Sequence, residues 1–485
     1  MPDSLTREIT ATSVVVLATT PAATLSCADG TLLDRISDQL VTLPVRDVQV
    51  LSSGNGLSSD LRGVAKLARV SAGPVALLPA DLVAHTEALA LVLEHPARDS
   101  AALVSHDPSA APMRPPVRVE GGKVVAAGSS FHLVPEANAT FRGVLQAGEA
   151  DLGCLAEVAE ELAELAETGR LGPVSPVEAI DLLLVGLVRY GVRMRAAAIG
   201  PLHSDRVTAQ SSADSAIERL SEVDESRVRL NFAVKDDDGF FATHFVSVWS
   251  RHLIRPAARL RLTPNAITGI SIGLAVLAAV WFSAGTREAQ IAGAVLLYLS
   301  FVLDCLDGQV ARYTRTFSPL GSWVDAMADR LKEYVVYVGL AIGYAAGLPW
   351  TGGGPGGIWY LAAAAMVLQV VRHTIDFAFG GAVSDAARIG SSFARPARSL
   401  LESADGGRYA VPKQGMLGLA QRMEKESVLR WLKKIIVLPI GERMALIAIT
   451  AAVFNARVTF LCLLLWGGVA ALYSLAGRIA RSMAK

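Results

Sequence analysis

Aspartates at positions 304, 307, 325 and 329 lie within sequence otherwise apolar enough to enter a membrane. An unpaired carboxylate at bilayer depth costs several kcal/mol, so a fold that accepts such a group must turn it inward and supply a cation. Helical spacing sets the geometry. Residues three and four apart are neighbours on a helix, so Asp304, Asp307, Gly308, Ala311, Arg312 and Arg315 form one stripe, and Asp325 and Asp329 share a face of the next helix. The stretch Phe317-Ser318-Pro319-Leu320-Gly321 reverses the chain between them. Two acidic faces can then oppose each other. A donor set made only of carboxylates suits Mg²⁺ or Mn²⁺, which keep positions open for a substrate phosphate. Gly308 and Ala311 leave room for a bulky ligand near the helix backbone, and Arg312 can hold a phosphate through its guanidinium fork. The plainer alternative is a salt-bridged helix pair in which Arg312, Arg315 and Arg330 neutralise the acids.

These positions spell D-x2-D-G-x2-A-R-x8-G-x3-D-x3-D, met at Asp304, Asp307, Gly308, Ala311, Arg312, Gly321, Asp325 and Asp329. In this the chain resembles the CDP-alcohol phosphotransferase family from roughly residue 240 to the last residue, with Thr263-Pro264-Asn265 and Thr268 ahead of the first span also typical. The resemblance implies attack of an alcohol on the β-phosphate of a CDP-linked alcohol, with release of CMP. It implies that Asp304, Asp307 and Asp325 hold metal and that Asp329 is a ligand or the general base. Gly308, Ala311 and Arg312, with Asn265 and Thr268, would contact the cytidine diphosphate, and the protein would be a homodimer. The residues fit that chemistry independently, since a carboxylate near the attacking hydroxyl can take its proton and a divalent ion neutralises the diphosphate. No Ser-His or Cys-His pairing suggests a covalent intermediate.

Hydrophobic residues make up 52% of the chain and charged ones 19%, and the mean hydropathy is +0.40. Net charge is zero, so nothing in bulk charge favours nucleic acid. The apolar density follows residue 262, where spans are expected at about 264–284, 289–311, 321–347, 357–380, 435–455 and 458–477, each near the ~20 residues a bilayer needs. Lys and Arg gather before the first span, between the second and third, between the fourth and fifth, and after the sixth. By the positive-inside rule both termini and the Asp cluster face the cytoplasm of a multi-pass protein in the cell membrane. Before the first span, Phe241, Phe245 and Trp249 recur on one face and Arg251, Arg255 and Arg259 on another, as in an interfacial amphipathic helix over 240–262. A core-packing helix is the alternative. Lys332, Arg372 and Arg443 sit near span ends, and Arg372 and Arg443 are candidates, with Lys332, for an acceptor phosphate. For Arg443 the competing reading is an interhelical pair with Glu333 or Glu442. His373 reads as a packed histidine.

Residues 1–205 read as a soluble α/β sandwich with a mostly parallel sheet. Short apolar runs at 13–18, 48–51, 74–78, 101–105 and 193–199 alternate with helical patterns at 32–43, 82–93, 152–167 and 176–189. Residues 206–239 read as a linker containing a helix, ending in the acidic run 236–238, and residues 263–485 as a six-helix membrane domain. No secretory leader is evident in the first residues. Cys27, Cys154, Cys305 and Cys462 lack metal spacing and read as reduced thiols. This half weakly resembles the nucleotidyltransferases, with Asp81 in Leu77-Leu78-Pro79-Ala80-Asp81 where their metal Asp would lie. The loop Thr19-Thr20-Pro21-Ala22-Ala23-Thr24 has no Gly, Arg or Lys to cradle a triphosphate, so the domain reads as degenerate. Asp81 reads equally as the N-cap of a helix opening at Leu82. The combined architecture points to phospholipid biosynthesis, with an inositol-type substrate first, other polyols open, and a non-catalytic membrane scaffold as the alternative class.

Overall fold

The computed structural model describes residues 11–27, 30–52, 56–107, 109, 113–234, 239–347, 357–392, 400–401, 431 and 434–483. The acidic run 236–238, the loop at 348–356 and most of the basic stretch between the fourth and fifth expected spans lie outside them. Two compact units emerge, Met1–Val228 with Ser391–Tyr409, and Arg229–Gly390 with Ala410–Lys485.

The first unit is built on strands β1 (Ser13–Leu17), β2 (Ser26–Cys27), β3 (Gly30–Thr31), β4 (Val48–Leu51), β5 (Val75–Pro79), β6 (Leu82–Ala84), β7 (Ala101–Ser105), β8 (Pro116–Glu120), β9 (Lys123–Ala127), β10 (Ala139–Ala147), β11 (Met194–Ala198) and β12 (Ser204–Arg206). Its helices are α1 (Leu32–Val41), α2 (Leu57–Val70), α3 (Thr86–Leu93), α4 (Leu152–Glu167), α5 (Ala179–Arg189) and α6 (Gln210–Leu220), with α7 (Glu225–Ala233) crossing the unit boundary. The eight-stranded sheet runs β4-β1-β5-β10-β7-β11-β9-β8. Alternate residues leave each strand on opposite faces. Val15, Leu17, Leu77, Val104 and Leu145 therefore join α2, α4 and α5 in one core. Val14, Val16, Ala76, Leu78 and Leu103 join α1 and α3 in the other. The result is a three-layer α/β sandwich. Leu400 completes the first core, and the His132 ring donates from Nε2 to its carbonyl at 2.7 Å.

Two expectations need correction. The sheet is mixed rather than mostly parallel, because β10 enters antiparallel between β5 and β7. All nine residues of β10 are buried, and its polar Thr140, Arg142 and Gln146 hid it from an apolar-run search. The Gly121-Gly122 turn, with φ +55° and +75°, closes a β8–β9 hairpin that also went unread. The helix expected over 82–93 instead opens as β6 and becomes helical only at Thr86. The stretch read as a linker containing a helix holds α6 and α7 over residues 206–234, with Ala213 and Ala216 buried against Leu32 and Val83.

The second unit contains α8 (Ser247–Arg259), preceded by a π-helical turn at Ala242–Val246, then α9 (Pro264–Ser283), α10 (Arg287–Thr314), α11 (Pro319–Ala345), α12 (Ile358–Ser392), α13 (Ile440–Val453) and α14 (Ala456–Met483). Caps set the boundaries. Thr263, Thr286 and Ser318 each accept a backbone N–H at a helix start, and Pro264 and Pro319 stand at the first helical position. Arg315, at φ 58°, ends α10 in the left-handed region, and the chain reverses there. Among the described residues four stretches, Pro264–Ser283, Arg287–Thr314, Ile358–Ala382 and Ala456–Ile479, are long and apolar enough to cross a membrane. The other two expected spans are helical but differ. The first half of α11 carries Asp325, Asp329, Arg330, Lys332 and Glu333. The span expected over 435–455 is interrupted at Leu438, φ 52°, and Pro439, leaving α13 with 14 residues. On α8 the buried face is Ser250, Ile254 and Ala257. Trp249, Leu253 and the three arginines are exposed, whereas Phe241 packs inward against Phe301.

A candidate metal centre between three helices

The close approach of α9, α10 and α11 places the acids. A Cβ on Gly339 would lie 2.4 Å from the Ala279 carbonyl oxygen, and one on Gly343 would lie 2.1 Å from that of Phe282. Only glycine permits this backbone contact. Ser271 on α9 and Ser300 on α10 exchange hydrogen bonds, the Ser271 hydroxyl donating to the Ser300 carbonyl at 2.9 Å and the reverse at 2.8 Å. Gly321 is required for a different reason. Its Cβ would meet Ser318 Oγ at 2.8 Å and Asn265 Oδ1 at 2.9 Å.

Asp304 and Asp307 on α10 and Asp325 on α11 bring one carboxylate oxygen each within 4.8 Å of one another. Oxygens on one octahedral divalent ion sit about 2.0–2.6 Å from it, so such a triangle fits a single Mg²⁺, Mn²⁺ or Ca²⁺. The donor set is hard oxygen only, which suits those ions. Asp307 is 3% exposed and accepts from Thr268 Oγ1 at 2.5 Å, so Thr268 orients its carboxylate. Asp329 lies one helical turn beyond Asp325, and its side chain stays 29% exposed against 9% for Asp304. Lys332 contacts the Asp304 carboxylate, lies 3.2 Å from Asp329 and donates to Ser271 Oγ at 3.4 Å. This is the charge that the sequence placed at an acceptor phosphate, and here it is turned onto the acids.

Other expected site residues fall as follows. A Cβ on Gly308 would have the Arg312 guanidinium as its nearest neighbour, at 3.4 Å, and Gly308 is half-buried. Ala311 is half-buried on the same stripe. Arg312 donates from Nε to the Ala233 carbonyl at 2.6 Å. Arg443 makes the interhelical pair weighed above, donating to Glu333 at 2.7 Å. Glu333, fully buried, also accepts from Tyr337 at 3.1 Å and Gln369 at 3.2 Å. Arg372 donates to the carbonyls of Val437 at 2.8 Å and Leu438 at 3.3 Å. It braces the break before α13.

In the first unit Asp81 caps no helix, because Leu82 opens a strand. Its carboxylate receives Arg206 through two bonds, at 2.9 and 3.0 Å, and both residues are buried. Arg206 also lies 3.6 Å from Asp181, and burial pushes the Asp181 carboxyl up to about 7 despite that neighbour. Next door, Arg114, Arg142 and Arg219 converge on Asp205 at 2.6, 2.9 and 3.2 Å. Sequence reading missed this network. The adjacent opposite charges of Asp205-Arg206 were its one visible signal.

An archaetidylinositol phosphate synthase of Pyrococcus horikoshii is 35% identical over 86 residues, 18% of this chain and 44% of that protein. A bifunctional IPC transferase and DIPP synthase of Rubrobacter xylanophilus is 27% identical over 214 residues, 44% of this chain and 46% of that one. The chain thus spans under half the length of these curated relatives. Among solved structures, the inositol-1-phosphate CTP transferase of T. maritima superposes with TM-score 0.32 and 12% identity, covering 44% of this chain and 97% of its own. Residues 261–402, which hold all four aspartates, match the CDP-alcohol phosphatidyltransferase family.

Proposed function

We propose that the protein is a membrane-embedded transferase of phospholipid biosynthesis that moves a substituted phosphate from a CDP-alcohol to a hydroxyl acceptor and releases CMP. The observation that carries this reading is the convergence of Asp304, Asp307 and Asp325 within 4.8 Å, one turn from a more open Asp329. Asp304, Asp307 and Asp325 would hold Mg²⁺ or Mn²⁺, which would supply positive charge to neutralise the diphosphate and the charge developing on departing CMP. Thr268 holds Asp307, and Gly308, lacking a side chain, lets the cytidine diphosphate approach α10 beside Arg312. The acceptor hydroxyl enters at Asp329, whose carboxylate takes its proton as the new P–O bond forms and the bond to CMP breaks.

The names of the similar proteins favour an inositol-type substrate, either a CDP-lipid donor with an inositol phosphate acceptor or a CDP-inositol donor with a lipid acceptor. The loop charges favour a cytoplasmic active site in the cell membrane. A homodimer is the expected assembly. The first unit supports the membrane domain without a nucleotidyl transfer of its own, since its candidate metal carboxylate Asp81 is neutralised by Arg206.

The test is CMP release by the purified protein in detergent with Mn²⁺, offered CDP-diacylglycerol with a panel of polyols and their phosphates, or CDP-inositol with a lipid acceptor. Release with an inositol-type pair, lowered about 10²–10⁴-fold in Asp329→Asn, supports the reading. No CMP release with any pair, together with no binding of a cytidine nucleotide, contradicts it.

A further inference from the structure

His132, in the loop between β9 and β10, has a partner at each ring nitrogen, and the pattern fixes where its proton sits. Ser129 Oγ accepts from the backbone N–H groups of Phe131 and His132, each at 3.1 Å. Its lone pairs are thereby used, and its one proton goes to His132 Nδ1 at 2.9 Å. Burial holds the imidazole below its ordinary pKa, so near pH 7 the ring is neutral and Nε2 carries the N–H. The loop itself is pinned on two sides. Gly128 donates its N–H to the Pro116 carbonyl at 2.8 Å, and Ser130 gives its N–H and its hydroxyl to Glu178 at 3.1 and 2.5 Å. A donor held in this way points at one place, and the Leu400 carbonyl stands there at 2.7 Å.

The occupant comes from far along the chain. The sheet strands and α1 to α6 all lie between Ser13 and Leu220, and residues 400 and 401 belong to no strand or helix. The secondary structure of the sandwich is therefore complete without them. Leu400 is nevertheless fully buried in the core that α2, α4 and α5 share with the sheet, and Leu401 packs against the same core. Ser391–Tyr409 accordingly groups with the sandwich, although it runs on from α12. The buried side chain supplies affinity, and the single backbone hydrogen bond to a preset donor fixes which residue is held.

We propose that His132 and the core beside it form a peptide-docking site of the sandwich, whose occupant is the Leu400–Leu401 segment of this same chain, and that this strap leaves the site without unfolding the sandwich. The proposal deepens the reading of the first unit as a support for the membrane domain, and rests on it. A unit whose candidate metal carboxylate Asp81 is taken by Arg206 still offers a fixed surface. It holds the stretch that joins α12 to α13 at one point.

Full-length protein in detergent, digested briefly with trypsin, reports docking as the rate of cleavage after Arg398, two residues before Leu400. Cleavage inside residues 11–228 of the same samples measures unfolding of the sandwich. Leu400→Asp is expected to raise cleavage after Arg398 about tenfold or more over wild type, with the sandwich sites unchanged. His132→Phe, a ring without a donor, should do the same. His132→Gln, whose amide still donates to a carbonyl, should stay within about threefold of wild type. Wild-type rates in Leu400→Asp would overturn the proposal, as would equal rates in His132→Phe and His132→Gln. Should Leu400→Asp not accumulate as folded protein, the His132 pair decides alone. A rise in His132→Phe at every site of the first unit would also overturn the proposal, because Leu400 would then be an ordinary core residue and no removable strap. The reading of the first unit as a support fails separately, if wild type joins CTP to a polyol phosphate with release of diphosphate.

Discussion

Single residues in this protein carry charge at depths where charge is expensive. Glu333 is fully buried and answers Arg443, Tyr337 and Gln369 together. Taking away one partner of a buried pair costs about 3–5 kcal/mol, because the other charge is left uncompensated. Glu333→Gln should therefore lower the melting temperature in detergent sharply, while Glu333→Gln with Arg443→Met recovers part of the loss. Equal melting of wild type and Glu333→Gln would show that the pair contributes nothing. Asp181 behaves differently, because burial raises its carboxyl from 3.8 to about 7. The native state then holds a proton that the unfolded chain releases near pH 4. The stability it contributes is present at low pH and is lost as pH rises through about 7. Asp181→Asn should flatten the stability of the first unit between pH 5 and 8 and exceed wild type at pH 8 by about 1–2 kcal/mol. A steeper decline in the variant would reverse that assignment. At this scale the sequence was readable where spacing is strict: Asp304, Asp307 and Asp325 converge as helical periodicity implies. Lys332 and Arg443 were harder to read, since either residue beside an acid can serve a ligand or an ion pair, and only the partner's position decides.

Among the elements, α11 does the most with the least obvious sequence. Its second half packs on α9 through Gly339 and Gly343, while its first half carries Asp325, Asp329 and Lys332. Gly343→Ala would force a Cβ against the Phe282 carbonyl and push the helices apart. Overpacking of this kind costs about 1–3 kcal/mol, and the acids on the same helix should shift with it. The expected result is Mn²⁺ affinity weakened about tenfold or more, a loss of at least 1.4 kcal/mol in binding, with the protein still folded. Unchanged affinity would mean that the two halves of α11 are uncoupled. Element type was legible wherever period was strong: β1, β7 and α4 fall at or within a residue of the positions read from apolar pattern alone. The misses share a physical cause. β10 mixes Thr140, Arg142 and Gln146 with apolar residues because its polar groups meet partners inside the fold, so it shows neither alternation nor an unbroken apolar run. At 435–455, hydropathy averages across the Leu438-Pro439 break that backbone geometry reveals.

At the scale of the whole chain, two units divide the work differently. The sandwich gathers acids and arginines into closed pairs, with Asp81 and Asp205 both occupied by guanidinium groups. The membrane unit brings Asp304, Asp307 and Asp325 within 4.8 Å of one another, with Asp329 one turn beyond Asp325 and 29% exposed. The membrane character of the second unit was legible from hydropathy, and four of its helices meet the length and composition for crossing. The first half of α11 falls below that standard because it carries Asp325, Asp329, Arg330, Lys332 and Glu333, and α13 because it has only 14 residues. The central claim is that this triangle performs metal-dependent transfer with loss of CMP. The most direct test follows CMP released from CDP-diacylglycerol and an inositol phosphate by wild type and Asp325→Asn, each with Mn²⁺ and with chelator. Release in wild type with Mn²⁺, abolished by chelator and lowered at least about 10³-fold in Asp325→Asn, is the result this account predicts. CMP release that persists in chelator, or in Asp325→Asn at the wild-type rate, would contradict it.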